Sequence, residues 1–153
     1  MTTWAEFAAA APELAAEGRR LLYRDGHGQA LLATVRRDDL PRIHPISVGI
    51  VGERLYAFIL PSAKRLDLEQ DGRFALHTLQ DPAAPSEFAV RGRATLVESD
   101  ESRSAVASEW SFEVDETYGL FEFSVELALL GVRDGPDEWP PRYTSWSTSV
   151  RPA

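Results

Sequence analysis

Short apolar stretches joined by tight turns dominate this chain, and a chain so punctuated buries its apolar residues best as an antiparallel sheet folded on itself. Strand patterns run over Ala30 to Arg36, Arg42 to Val51, Arg54 to Leu60, Arg73 to Leu79, Glu87 to Val97 and Arg142 to Ser147. Strict alternation marks another: Phe121, Phe123, Val125, Leu127 and Leu129 point one way, and Glu122, Ser124 and Glu126 the other. Gly52-Glu53 makes a tight hairpin between the second and third patterns. Gly92, inside the fifth, marks a bulge or a place where another backbone comes close. Helices are few. Thr3-Trp4-Ala5-Glu6 matches a capping box, and Pro12 suits the first turn of a second helix to about Arg24, giving a helical lead over about residues 1–25. Ser62 is a natural cap for a short helix bearing Leu66 and Leu68, which Asp71-Gly72 stops. Ser99 or Asp100 caps another that carries Val106 and Trp110. The expected fold is mainly β (α+β), a six- to seven-stranded antiparallel barrel or closed sheet with short peripheral helices.

With 153 residues and no internal repeat or linker, residues 1–153 are expected to form one domain. The absence of cysteine removes disulfides, thiolate catalysis and cysteine-based metal centres. A net charge of −8 argues against nonspecific nucleic-acid binding, which needs a basic surface. No apolar run approaches the ~20 residues of a membrane span, and Glu6, Glu13 and Glu17 interrupt the Ala-rich start. A cytoplasmic protein without nucleic-acid or membrane partners is the expectation.

Several chemistries are absent by spacing: a Walker A loop, a G-x-S-x-G elbow and an H-E-x-x-H pair. His27, His44 and His77 are too scattered to indicate a metal site, and none is expected. What remains is one junction. Lys64, the sole lysine beside fifteen arginines, follows Pro61-Ser62-Ala63 where a strand pattern gives way to a helical one. Unpaired amides at a capped helix start favour an anion, and Lys64 and Arg65 add full charges there. One hairpin away lies Arg42-Ile43-His44-Pro45-Ile46-Ser47, where Pro45 cannot donate to a sheet ladder and so interrupts strand pairing. The same residues also read as an edge strand beside a solvated helix start, and the sequence pattern does not separate the two.

The order of elements resembles the pyridoxamine 5′-phosphate oxidase-like, FMN-binding split-barrel family. The resemblance rests on a strand, an R-x-H-P-x-S second strand (Arg42 to Ser47), a Gly-turn hairpin, S-x-K (Ser62 to Lys64) before a leucine-bearing helix, and Asp71-Gly72-Arg73 opening the fourth strand. It covers Ala30 to Val97 well and the rest more loosely. It implies an antiparallel split β-barrel, a homodimer with FMN between the subunits, and an FMN-dependent oxidoreductase acting on a small molecule. Carried over by position, Arg42 and Ser47 contact phosphate or ring, Ser62, Lys64 and Arg65 form the phosphate clamp, and His44 and Pro45 flank the ring. Trp146 resembles a tryptophan that reaches the flavin from the partner subunit; a core or interface role fits it equally. Glu87 stands near a position where the oxidase has an amide side chain, and the oxidase's C-terminal substrate signature is absent, so vitamin B6 oxidation is not implied. Two alternatives share the fold: an F420-dependent reductase, and a haem-binding or non-catalytic binding protein with His44 or His77 as an iron ligand.

Overall fold

In the computed structural model residues 1–148 are described. The chain opens with two short helices, α1 (Trp4–Ala10) and α2 (Pro12–Leu22). Thr3 closes the capping box on Glu6, and Pro12 opens α2 at a position where a backbone N–H would have no helical partner. Four strands follow with one helix between them: β1 (Gly28–Val35), β2 (Pro41–Val51), β3 (Arg54–Ile59), α3 (Ala63–Gln70) and β4 (Arg73–Thr78). Then come β5 (Glu87–Leu96), α4 (Asp100–Ser108), β6 (Gly119–Phe123), β7 (Leu127–Val132) and β8 (Arg142–Ser147). Gly52 and Glu53 both take positive φ (53° and 60°), the pair of left-handed residues that a two-residue hairpin demands.

The strands lie in the order β4-β1-β2-β3-β6-β5, and a β4–β5 ladder closes these six into an antiparallel barrel. The last two, β7 and β8, extend outward from β5 as an appended sheet. Interior residues follow the pleat, as Ala30, Leu32, Leu76, Phe88, Val90 and Phe123 show, all essentially without solvent contact. An aromatic group from the helical lead joins them. Phe7 packs 5.2 Å from the Trp4 ring and 5.2 Å from the Trp146 ring, and α2 approaches so closely that a Cβ on Gly18 would fall 2.6 Å from Phe88. On the opposite wall α4 covers β3 and β6 from outside, burying Val106 against Tyr56, Phe58 and Leu120. Trp110, expected within that helix, lies just past its end and packs 5.1 Å from the Phe58 ring.

The expected single strand from Phe121 to Leu129 is two, β6 and β7. Phe123 stands opposite Ala94 and Leu127 opposite Arg91, so three residues, Ser124 to Glu126, face two, Gly92 and Arg93. That extra residue is a β-bulge, and it inverts which side chains point inward. Phe121 and Phe123 are interior on β6, whereas Ala128 and Leu130 are interior on β7, leaving Leu127 and Leu129 half-buried on the outer side. Gly92 is required at the bulge: a Cβ there would lie 2.3 Å from the Ser124 carbonyl oxygen. The Ser124 hydroxyl accepts the Arg93 N–H at 2.8 Å and its own N–H donates to the Arg93 carbonyl at 2.9 Å, so the unpaired backbone is satisfied. Among the described residues no helix is long and apolar enough to cross a membrane.

Candidate functional site

The barrel is split along one seam. β2 pairs with β1 over residues 28–35 and 41–48, but it pairs with β3 only through Gly49, Ile50 and Val51. Beyond Gly49 the two strands diverge, and among the described residues the edge of β2 from Pro41 to Val48 has no strand partner. Pro45 sits on this edge, where its missing N–H costs no ladder bond. Exposed apolar side chains surround the seam: Ile43 (63% exposed), Leu60 and Leu66.

The helix α3 packs on β1 and β5, and two arginines tie it to the strands that flank the seam. Arg42 Nε donates to Asp67 Oδ2 at 2.8 Å, and the Thr34 hydroxyl donates to the same oxygen at 2.7 Å. Asp67 is 4% exposed and Thr34 2%. Burial pushes the Asp67 carboxyl up, yet the Arg42 guanidinium and the Thr34 hydroxyl outweigh it and hold the group below its ordinary value. Arg65 is the second bolt, donating through Nε to Glu69 at 2.9 Å and through Nη1 to the Thr117 carbonyl at 2.8 Å. Both arginines named from the sequence are therefore engaged within the fold.

Lys64 is different. It is half-buried, precedes Asp67 by three residues and so shares its side of α3, and its ammonium makes no hydrogen bond or ion pair among the described residues. Ser62 is the N-cap as expected: its hydroxyl accepts the Arg65 N–H at 3.4 Å and donates to the Leu60 carbonyl at 2.8 Å. Along β2 the candidates divide by parity. His44 stands opposite Leu32 and Arg42 opposite Thr34, on the interior side, while Pro45 and Ser47 fall on the outer side opposite Leu31 and Gln29. Among the described residues the His44 Nε2 is buried without a hydrogen-bond partner. Trp146 lies on β8, packed on Phe7, and β7, β5, β4 and β1 separate β8 from β2 within one chain.

A second polar group, not assembled by sequence reasoning, occupies the outer face of the sheet. His77 on β4, Glu87 on β5 and Tyr143 on β8 come together there. His77 Nδ1 lies 2.7 Å from the Thr78 carbonyl, so Nδ1 carries a proton, and Nε2 lies 3.3 Å from Glu87 Oε2. Tyr143 stands opposite Gly131, and a Cβ on that glycine would fall 2.8 Å from the Tyr143 ring and 3.0 Å from Glu87 Cγ. The missing side chain is thus a notch across which tyrosine meets glutamate. Loss of hydration and then the Glu87 carboxylate push the Tyr143 hydroxyl up. Only the strand register places these three together, since they lie far apart in the sequence. Among the described residues no three His, Asp or Glu side chains stand together to hold a metal ion.

No family model matches the chain, and no curated protein matches it in sequence. Solved structures do match in shape. A haem-binding protein from Mycobacterium smegmatis aligns with a TM-score of 0.63 at 18% identity over 86% of this chain, which spans 57% of that protein. The haem storage protein HutZ from Vibrio cholerae aligns with a TM-score of 0.63 at 18% identity, over 80% of this chain and 96% of its own. A Clostridium acetobutylicum protein of the pyridoxinephosphate oxidase family, related to general stress protein 26, aligns with a TM-score of 0.61 at 10% identity, covering 85% of this chain and 95% of that one. The closed six-stranded barrel with its two appended strands has the split-barrel fold of these oxidase-family and haem-binding proteins.

Proposed function

We propose that the protein is an FMN-dependent oxidoreductase acting on a small molecule, and that it works as a homodimer. The observation that carries this reading is the open seam: an unpartnered strand edge, a capped helix start and an unpaired lysine, all bordered by exposed apolar side chains. A flavin mononucleotide presents a phosphate to the first end of such a site and a flat apolar ring to the other. Arg42 and Arg65 are held by Asp67 and Glu69 and the Ser62 hydroxyl by the Leu60 carbonyl, so Lys64 and the free amides that follow the Ser62 cap take the phosphate, and the two arginines fix the helix that presents them. His44, Pro45 and Ser47 border the ring. When bound, the flavin supplies the electron transfer, while these residues orient it and exclude water.

A second copy completes the site. Ile43, Leu60 and Leu66 are exposed beside the seam, and a two-fold partner seated there covers them; because β7, β5, β4 and β1 separate Trp146 from β2 within one chain, any approach of Trp146 to the cofactor is made from the partner's side. The test compares FMN with riboflavin on Lys64→Ala. Loss of a charge-assisted contact weakens FMN about tenfold or more while leaving riboflavin unchanged. Equal losses for both ligands would remove Lys64 from the phosphate contact.

A second reading, haem binding, is favoured by a separate observation besides the two haem-associated structural neighbours. Of the two histidines open to that role, His44 turns inward and His77 outward. The proton on His77 Nδ1 is committed to a backbone carbonyl, which leaves Nε2 as the nitrogen for a ligand.

A further inference from the structure

Beyond His77, the outer face of β4, β5 and β7 carries groups to which the haem reading has given no role. His77 stands at one end. Its neighbours across the strands are Ala89 and Leu31, followed along the sheet by Ala75, Ala33, Leu127 and Leu129, so the surface beyond it is apolar and low. At the other end Arg73 lies directly opposite Arg93, with Arg91 beside Ala75. Like charges placed directly opposite destabilise a sheet, and among the described residues only Asp71 answers them, pairing with Arg73 at 2.6 Å. The Arg91 and Arg93 side chains are exposed and make no hydrogen bond or ion pair among the described residues, in a chain whose net charge is −8. Most other arginines have a carboxylate or carbonyl partner, as Arg20, Arg36, Arg42, Arg54 and Arg65 illustrate.

We propose that this face is a platform for a flat, carboxylate-bearing macrocycle, with His77 Nε2 as the axial ligand of its metal and Arg91 and Arg93 as the clamps for its carboxylates. This rests on the haem reading and adds the residues that would orient the ring. Strand spacings put the backbone of Arg91 about 8 Å from that of His77 and Arg93 about 14 Å away. With the arginine arms counted, these separations bracket the reach from a porphyrin's centre to its carboxylates. The small side chains of Ala75 and Ala89 let a planar ring approach the sheet. Arginine suits the task because its planar fork matches a carboxylate with two parallel hydrogen bonds. Ligation exchanges the long Nε2 contact to Glu87 for the metal, while the bond from Nδ1 to the Thr78 carbonyl keeps the ring oriented.

The test titrates the full chain with ferric haem and with metal-free protoporphyrin IX, following absorbance, for the native protein, His77→Ala and the double variant Arg91→Gln/Arg93→Gln. The exchanged side chains are at the surface, and unchanged urea unfolding midpoints verify the fold. The expected results are that His77→Ala loses the histidine-ligated ferric spectrum yet still takes up the metal-free ring, and that the arginine variant binds both rings about tenfold or more weakly. Haem uptake with a native spectrum in His77→Ala, or with native affinity in the arginine variant, would overturn the assignment and leave the haem reading standing. No uptake of either ring by the native protein would overturn both.

Discussion

Replacing Asp67 with alanine is the sharpest test of how the seam is held. Asp67 accepts from Arg42 at 2.8 Å and from Thr34 at 2.7 Å, and it joins α3 to β1 and β2. Charge-assisted bonds contribute about 1.5–3 kcal/mol each, and the buried Thr34 hydroxyl left without a partner costs about 1–3 kcal/mol more. Arg42 keeps 29% side-chain exposure, so water recovers part of its hydrogen bonding and lowers the total. A net loss of about 3 kcal/mol follows, at the lower end of the range for breaking a buried ion pair. In urea, with a slope of about 2 kcal/mol per molar, the unfolding midpoint falls by about 1.5 M. The pH dependence supplies a control on cause. The folded carboxyl titrates below its unfolded value, so its contribution is fully present above about pH 3.9 and is lost as the pH falls through the folded pKa. The difference between native protein and variant therefore holds steady from neutral pH down to about 4 and shrinks below it. A midpoint shift under about 0.5 M at neutral pH, or a difference that grows on acidification, would refute the role given to this carboxylate.

Other consequences follow from individual contacts. Gly92→Ala forces a Cβ to within 2.3 Å of the Ser124 carbonyl, so the bulge must shift, with a loss of about 2–3 kcal/mol by urea unfolding; a neutral result would mean the bulge accommodates a side chain. Ile43→Asp places a charge on the exposed apolar border of the seam and is expected to convert dimer to monomer in analytical ultracentrifugation without lowering the unfolding midpoint of the subunit. A native protein that sediments as a monomer contradicts the assembly. Glu87→Gln removes the negative charge that helps raise the Tyr143 hydroxyl, so the tyrosine titration moves down toward the ordinary value of about 10, as read by ring resonances in NMR. An unmoved titration would place the two groups out of electrostatic contact.

Local chemistry made much of the fold legible from the residues. The capping box at Thr3, the Ser62 and Ser99 caps, the Gly52-Glu53 hairpin and the close backbone approach at Gly92 are each decided by a few neighbouring residues, and each is found as expected. The bulge between β6 and β7 was not legible, because Phe121 through Leu129 keep perfect alternation across it. The inserted residue shows only in the register against β5. Candidate site residues divided along the same line. Ser62 could be read as a cap from sequence, but the partners that occupy Arg42 and Arg65 lie on other elements or one helical turn on. Sequence gave no way to see that Arg42 meets a buried aspartate 25 residues later. The meeting of His77, Glu87 and Tyr143 depends on three strands and on a glycine lying between two of them.

The absorption spectrum of the purified protein, before and after addition of FMN, bears most directly on the cofactor reading. The expected result is the two-banded spectrum of an oxidised flavin, bound at the seam and released as a fluorescent yellow compound on denaturation. A protein that stays colourless and leaves added FMN free would contradict the flavin assignment, and a haem Soret band in its place would transfer the assignment to haem.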